Sequence, residues 1–95
     1  MIRHVVTWKL KEYNKEKNAL EIKSRLCALV EKIDEIKFLE VGINENGGEY
    51  EVMLITAFDD YDALKAYDSH TEHEKVREFI KNVVVDRVAV DYEIK

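Results

Sequence analysis

Val52 to Phe58 places apolar side chains on both faces of one strand, with Val52, Leu54 and Phe58 alternating with Met53, Ile55 and Ala57. Successive side chains of a strand point to opposite sides of the pleat, so this segment needs cover above and below. The valine-rich Val84 to Ile94 does likewise, with Val88, Val90 and Tyr92 set against Ala89. A chain of 95 residues has helices enough for one side of such a sheet. The other side is therefore expected to meet a second sheet.

The remaining elements follow from period and punctuation. Ile2 to Leu10 alternates as a strand, with Ile2, His4, Val6, Trp8 and Leu10 on one face and Arg3, Val5, Thr7 and Lys9 on the other. After the polar stretch Lys11 to Lys15, with Asn14 as a cap, helical spacing links Ala19, Ile22, Leu26, Leu29, Val30 and Ile33, and the helix ends near Glu35. Residues 37–43 and Tyr50 to Phe58 read as two strands, and Asn46-Gly47-Gly48 supplies positive-φ residues for a tight hairpin between them. Asp60 caps a short helix through Ala63, Leu64 and Tyr67. Thr71 and Glu74 form a capping box for a helix running to about Asn82. The order is βαββαβ, which predicts an α+β, ferredoxin-like sandwich in a single domain spanning residues 1–95.

Charge narrows the partners. With 20 acidic against 15 basic residues the net charge is -5, and no basic cluster exists to meet a phosphate backbone, so a nucleic-acid partner is not expected. No apolar run reaches the roughly 18 residues of a membrane span, and a strand rather than a signal peptide follows Met1. These features predict an intracellular, cytoplasmic protein. The one cysteine, Cys27, excludes an internal disulfide and is read as a packing residue.

The chemistry-bearing residues gather in Tyr67-Asp68-Ser69-His70-Thr71-Glu72-His73, a phenol and two imidazoles where a loop becomes a helix. His73 shares its helix face with Val76 and Ile80 and should point inward, where the helix N-terminus disfavours its charged form and lowers its pKa. His70 lies before the cap and carries no such constraint. The plain reading of His73 is a packed residue bonded to a backbone carbonyl. His4, His70 and His73 do not read as a metal set, because His70 and His73 straddle a helix start and no cysteine or carboxylate cluster joins them.

The opening Met-Ile-Arg-His-Val-Val-Thr-Trp-Lys-Leu-Lys, the Tyr67-x-x-His70-x-x-His73 cluster and the closing Val90-Asp91-Tyr92 resemble the stress-responsive dimeric α/β barrel domain over essentially the whole chain. That resemblance implies ferredoxin-like protomers whose sheets meet face to face in a homodimer. Most members have no established activity. The best understood are plant polyketide cyclases such as olivetolic acid cyclase, which close a linear polyketide thioester by aldol condensation without metal or organic cofactor. Their acid/base pair falls on Tyr67 and His73 by motif match, and their pocket histidine on His4. The resemblance further implies a pocket between sheet and helices walled by His4, Trp8, Leu54 and Thr56, with His70 beside it. Some members also hold a cation on backbone carbonyls, which would fall on Val30, Ile33 and Ile36; the plain reading of that stretch is a helix C-terminus solvated by water.

Two functions stay open at this stage. One is a homodimer, joined through the face carrying Val5, Met53, Ile55 and Val88 or Ala89, that binds a small molecule and uses its histidines structurally. The other is a cofactor-independent acid/base enzyme in which His73 takes a proton next to a carbonyl and Tyr67 supports the developing enolate.

Overall fold

The first strand, β1 (Ile2–Leu10), is the spine of the sheet, because a strand buried on alternate residues can pair on both edges. A computed structural model describes residues 1–95. Along the chain β1 is followed by α1 (Lys15–Ala28), a 3-10 turn (Leu29–Glu31), β2 (Phe38–Ile43), β3 (Val52–Phe58), α2 (Tyr61–Asp68), α3 (Thr71–Val83) and β4 (Val84–Glu93). The sheet runs β2-β3-β1-β4 and every pair is antiparallel. This is the ferredoxin-like arrangement expected from the element order.

All helices lie on one face. Ile22 and Leu26 of α1, Leu29 and Ile33 beyond it, Leu64 and Tyr67 of α2, and Val76 and Ile80 of α3 pack against Val6, Trp8, Leu10, Leu54 and Phe58 of the sheet. Arg25 stacks its guanidinium 4.1 Å from the centre of the Phe79 ring, linking α1 to α3. Asp60 caps α2 by accepting from the Ala63 amide at 2.8 Å. Cys27 is exposed, not packed: α1 turns Leu26 inward and its neighbour outward.

Several local expectations change. Asn14 makes no side-chain cap; it takes a left-handed conformation with φ 52° and only its carbonyl receives a helical bond, from the Asn18 amide. The first α-helix stops at Ala28, because the chain tightens into the 3-10 turn while keeping Leu29 buried. The connection after β2 is no tight hairpin. Only Gly47 there has positive φ, and the loop is shaped by Asn44 and Asn46, whose carboxamide oxygens accept from the Asn46 and Gly48 amides. At α3 the cap is His70 rather than Thr71, since the His70 ring nitrogen accepts from the Glu72 amide at 3.1 Å; Glu74 turns to Arg77.

Register decides the two faces of β4. Val5 stands opposite Val90 and Val6 opposite Ala89, so Ala89 lies on the helix side and Val88, Val90 and Tyr92 on the bare side. Ala89 therefore does not belong to the expected association face, and Val88 does. The bare face also carries Met53 and Phe38, and all five of these apolar side chains are at least 40% exposed.

Asp60→Ala tests how far local capping holds the helical layer in place. Losing that cap is expected to cost about 1 kcal/mol and to lower the thermal midpoint by roughly 4–8 °C for a domain this small. Calorimetry at one fixed protein concentration reads it, and an unchanged midpoint would show that packing alone positions α2.

Candidate functional site

β4 follows α3 with no intervening loop, and a cleft of about 750 Å³ opens in the angle between them. Its walls are the sheet residues His4, Val6, Trp8 and Leu54 together with Leu26, Tyr67, Val76 and Ile80 from the helices. His73, Asp68, Arg77, Lys81 and Arg87 also border it. An apolar cleft with a few polar groups is the ordinary form of a small-molecule site.

Tyr67 is brought there by the last turn of α2 and is 1% exposed. Its hydroxyl is buried and has no hydrogen-bond partner. Burial first, and the Asp68 charge second, push the phenol well above its ordinary pKa, while Arg77 and Arg87 act in the opposite direction. The phenol therefore remains a donor at neutral pH. Its ring packs 4.3 Å from that of His73 and 5.0 Å from that of Phe58, and meets His4 edge-on at 6.1 Å.

The tautomer of His73 follows from its neighbours. Nδ1 lies 3.0 Å from the Asp68 carbonyl, which can only accept, and 3.2 Å from Arg77 Nη2. That nitrogen of Arg77 already donates to the Asp68 carbonyl at 3.0 Å and to the Asp68 carboxylate at 2.6 Å, which uses both of its hydrogens. His73 Nδ1 therefore carries the proton, and Nε2 keeps its lone pair. Burial lowers the pKa of His73; the Asp68 carbonyl opposes this and the Arg77 charge adds to it. The residue is half-buried, on the inward face as expected, and neutral at pH 7.

His4 is held the same way by a different acceptor. Its Nδ1 lies 2.5 Å from an oxygen of Asp91, directly across the β1–β4 pair, so Nδ1 donates and Nε2 is again free. Tyr67, His73, His4, Trp8 and Leu54 thus share one cleft. Thr56 does not join them: it is fully buried and its hydroxyl donates to the His4 carbonyl at 3.0 Å. His70 is also outside the cleft, occupied as the cap of α3. Asp91, Asp68, Arg77, Lys81 and Arg87 were not singled out by spacing. Asp91 becomes visible only once β1 and β4 are paired in register, and the others only once α3 is laid beside β4.

No group of three or more His, Cys, Asp or Glu side chains converges in a way that would hold a metal ion. At the end of the first helix the Ile33 carbonyl accepts from the Ile36 amide at 3.3 Å, closing a turn there. No helix is long and apolar enough to cross a membrane.

The family model of the stress responsive A/B barrel domain matches residues 2–94. Among solved structures, a dimeric protein of unknown function and ferredoxin-like fold from Bacteroides fragilis is 32% identical, with a TM-score of 0.92 over 98% of this chain and 95% of its own. A dimeric ferredoxin-like protein of unknown function from Thermobifida fusca is 24% identical, with a TM-score of 0.88 over 98% of this chain and 90% of its own. A hydroxynitrile lyase from Passiflora edulis shares the fold at 14% identity, with a TM-score of 0.86 over 99% of this chain and 93% of its own. No protein of curated function matches the chain.

A depressed histidine pKa has a definite sign in stability. The unfolded chain takes up the proton near 6.5 while folded His73 resists it, so its contribution is complete above that pH and falls as pH drops from 6.5 toward the folded value, below which it levels off. Imidazole NMR should place the His73 midpoint below 6.5. His73→Gln should flatten the same segment of the stability curve. A midpoint at or above 6.5 would refute the inward, neutral assignment.

Proposed function

The chain belongs to the stress responsive A/B barrel domain family, and on that premise we propose that it is a homodimer, joined through the bare sheet faces, that binds a small apolar molecule bearing a carbonyl oxygen in the cleft of each protomer. The observation that carries the ligand is the Tyr67 hydroxyl, buried with no acceptor of its own between two imidazoles. An unsatisfied buried hydroxyl costs about 1–3 kcal/mol, so an acceptor oxygen delivered to it gains free energy as soon as it arrives. The apolar walls suit the rest of such a molecule.

Association draws on the opposite face. Phe38, Met53, Val88, Val90 and Tyr92 form a contiguous exposed apolar surface that a second copy would cover. Arg3 stands in the same face, between Ala57 and Tyr92, with its Nε buried and unpartnered. Glu40, two strands away and opposite Ile55, forms no ion pair within the protomer. Across a two-fold axis each of these charges is available to the other. The related proteins from Bacteroides fragilis and Thermobifida fusca are dimeric.

A second reading is favoured by the free Nε2 of His73. A neutral imidazole against a protonated phenol is suited to proton abstraction: the C–H proton next to a carbonyl passes to His73 Nε2, and the electron pair moves to the carbonyl oxygen, which Tyr67 supports by hydrogen bonding. No metal or cofactor enters this step. Aldol closure of a polyketide-like thioester belongs to this class, and the Passiflora edulis protein of the same fold is itself an enzyme, a hydroxynitrile lyase.

Sedimentation equilibrium tests the assembly. Met53→Lys or Ile55→Glu should dissociate or unfold the dimer, and a wild-type monomer persisting at high micromolar concentration would overturn it. Tyr67→Phe tests the cleft. It removes the unsatisfied hydroxyl, so it should keep or raise the thermal midpoint while weakening calorimetric binding of a medium-chain ketone such as 2-decanone by about tenfold, the equivalent of one hydrogen bond. Equal affinity of wild type and variant would refute the role given to the phenol. With a panel of β-keto thioesters, turnover lost in His73→Ala and cut roughly 10²–10⁴-fold in Tyr67→Phe would favour the enzyme.

A further inference from the structure

The charged side chains bordering the cleft do not cancel. Asp68 is neutralised by Arg77, whose Nη2 sits 2.6 Å from its carboxylate. The Asp86 carboxylate, which accepts from the Arg87 backbone amide at 2.9 Å and from the Tyr50 hydroxyl, keeps its charge, so the charged side chains lining the cleft, Asp68, Arg77, Lys81, Asp86 and Arg87, sum to a single positive charge. Arg77 is shared further with Glu74. What remains at the mouth is Lys81 on α3 and Arg87 on β4, and neither side chain has a carboxylate partner among the ion pairs of the protein. Asp91, the other acid on this side of β4, is tied to His4.

The lining of the cleft is thus positive by one charge in a chain with five more acids than bases. Lys81 borders the cleft from α3 and Arg87 from β4. The Arg87 charge is felt as deep as the Tyr67 phenol.

We propose that the cleft selects an anionic amphipath: an apolar body whose carbonyl end reaches Tyr67 and whose carboxylate or phosphate end is held at the mouth by Lys81 and Arg87. The proposal deepens the reading of the cleft as a ligand site and rests on it. Burying the apolar body supplies most of the affinity, and the two cations supply choice between charged and uncharged molecules of the same shape. Arg87 offers a planar fork suited to a two-oxygen anion, and Lys81 a point charge that adapts to either kind.

The test uses 9-oxodecanoic acid and its methyl ester, which differ only in the charge, titrated calorimetrically into the full-length protein. The acid is expected to bind about tenfold more tightly than the ester, with the difference abolished at roughly 1 M salt, where screening reaches contact distance. The Lys81→Gln/Arg87→Gln double variant should bind both equally with the ester affinity retained. Both side chains are exposed, so an unchanged thermal midpoint checks that the fold is kept. Decanoate and decyl phosphate, run as separate arms, distinguish a carboxylate from a phosphate end. Equal binding of acid and ester by the wild type, or a preference that survives in the double variant, overturns the anion clamp alone. Binding of neither overturns the cleft reading and the clamp with it.

Discussion

β4 has no helix across it, and both functional surfaces arise from that omission. The helices cover β1, β2 and β3, whereas every residue of β4 from Val85 onward is exposed. On the helix side the gap between α3 and the start of β4 is the cleft. On the other side Val88, Val90 and Tyr92 add to an apolar surface that begins on β3. A helix laid over β4 on the helix side would fill the cleft, and one on the other side would cover Val88, Val90 and Tyr92. Because α3 runs into β4 without a loop, the chain has no length to place one there.

Inside the cleft the same electrostatic device appears twice with different acceptors. His73 gives its Nδ1 proton to a backbone carbonyl of its own helical hairpin, and His4 gives its own to a carboxylate across the sheet. Each acceptor fixes the tautomer and turns an Nε2 lone pair outward from the bond. The two are not equivalent. A carbonyl leaves His73 uncharged when burial and Arg77 already disfavour the cation. His4 instead donates to a carboxylate at 2.5 Å, across the β1–β4 pair.

The fold was legible because strand alternation and helix spacing report burial directly. His4 and Trp8 were placed on the apolar face of their strand by period two, and His73 on the inner face of α3 by its spacing to Val76 and Ile80, whereas Leu54 came to the pocket wall by resemblance to the family. What the spacing could not carry was pairing. Ala89 looked interchangeable with Val88 until the register put it opposite Val6. His70 looked free because a histidine is a rare cap, and Thr71 with Glu74 offered a commoner one. Thr56 was assigned to the pocket wall by resemblance to the family, yet its hydroxyl is consumed by the His4 carbonyl. For Thr56 the face was correct and for Ala89 it was not; in each case the pairing of two strands or two turns decided the role.

A bare edge strand also risks open-ended association, and the sequence of β4 limits how this can happen. Asp86, Arg87, Asp91 and Glu93 alternate with the valines, so an approaching strand meets charges along the edge, while a sheet approaching face-on meets Val88, Val90 and Tyr92. Face-on contact is self-limiting: once two copies cover each other the apolar surface is spent. The charges that disfavour the edge include two of the groups that shape the cleft, since Asp91 orients His4 and Arg87 stands at the mouth. Asp86 and Arg87, which set charges along the edge of β4, thus also line the cleft, so one short segment of chain shapes both.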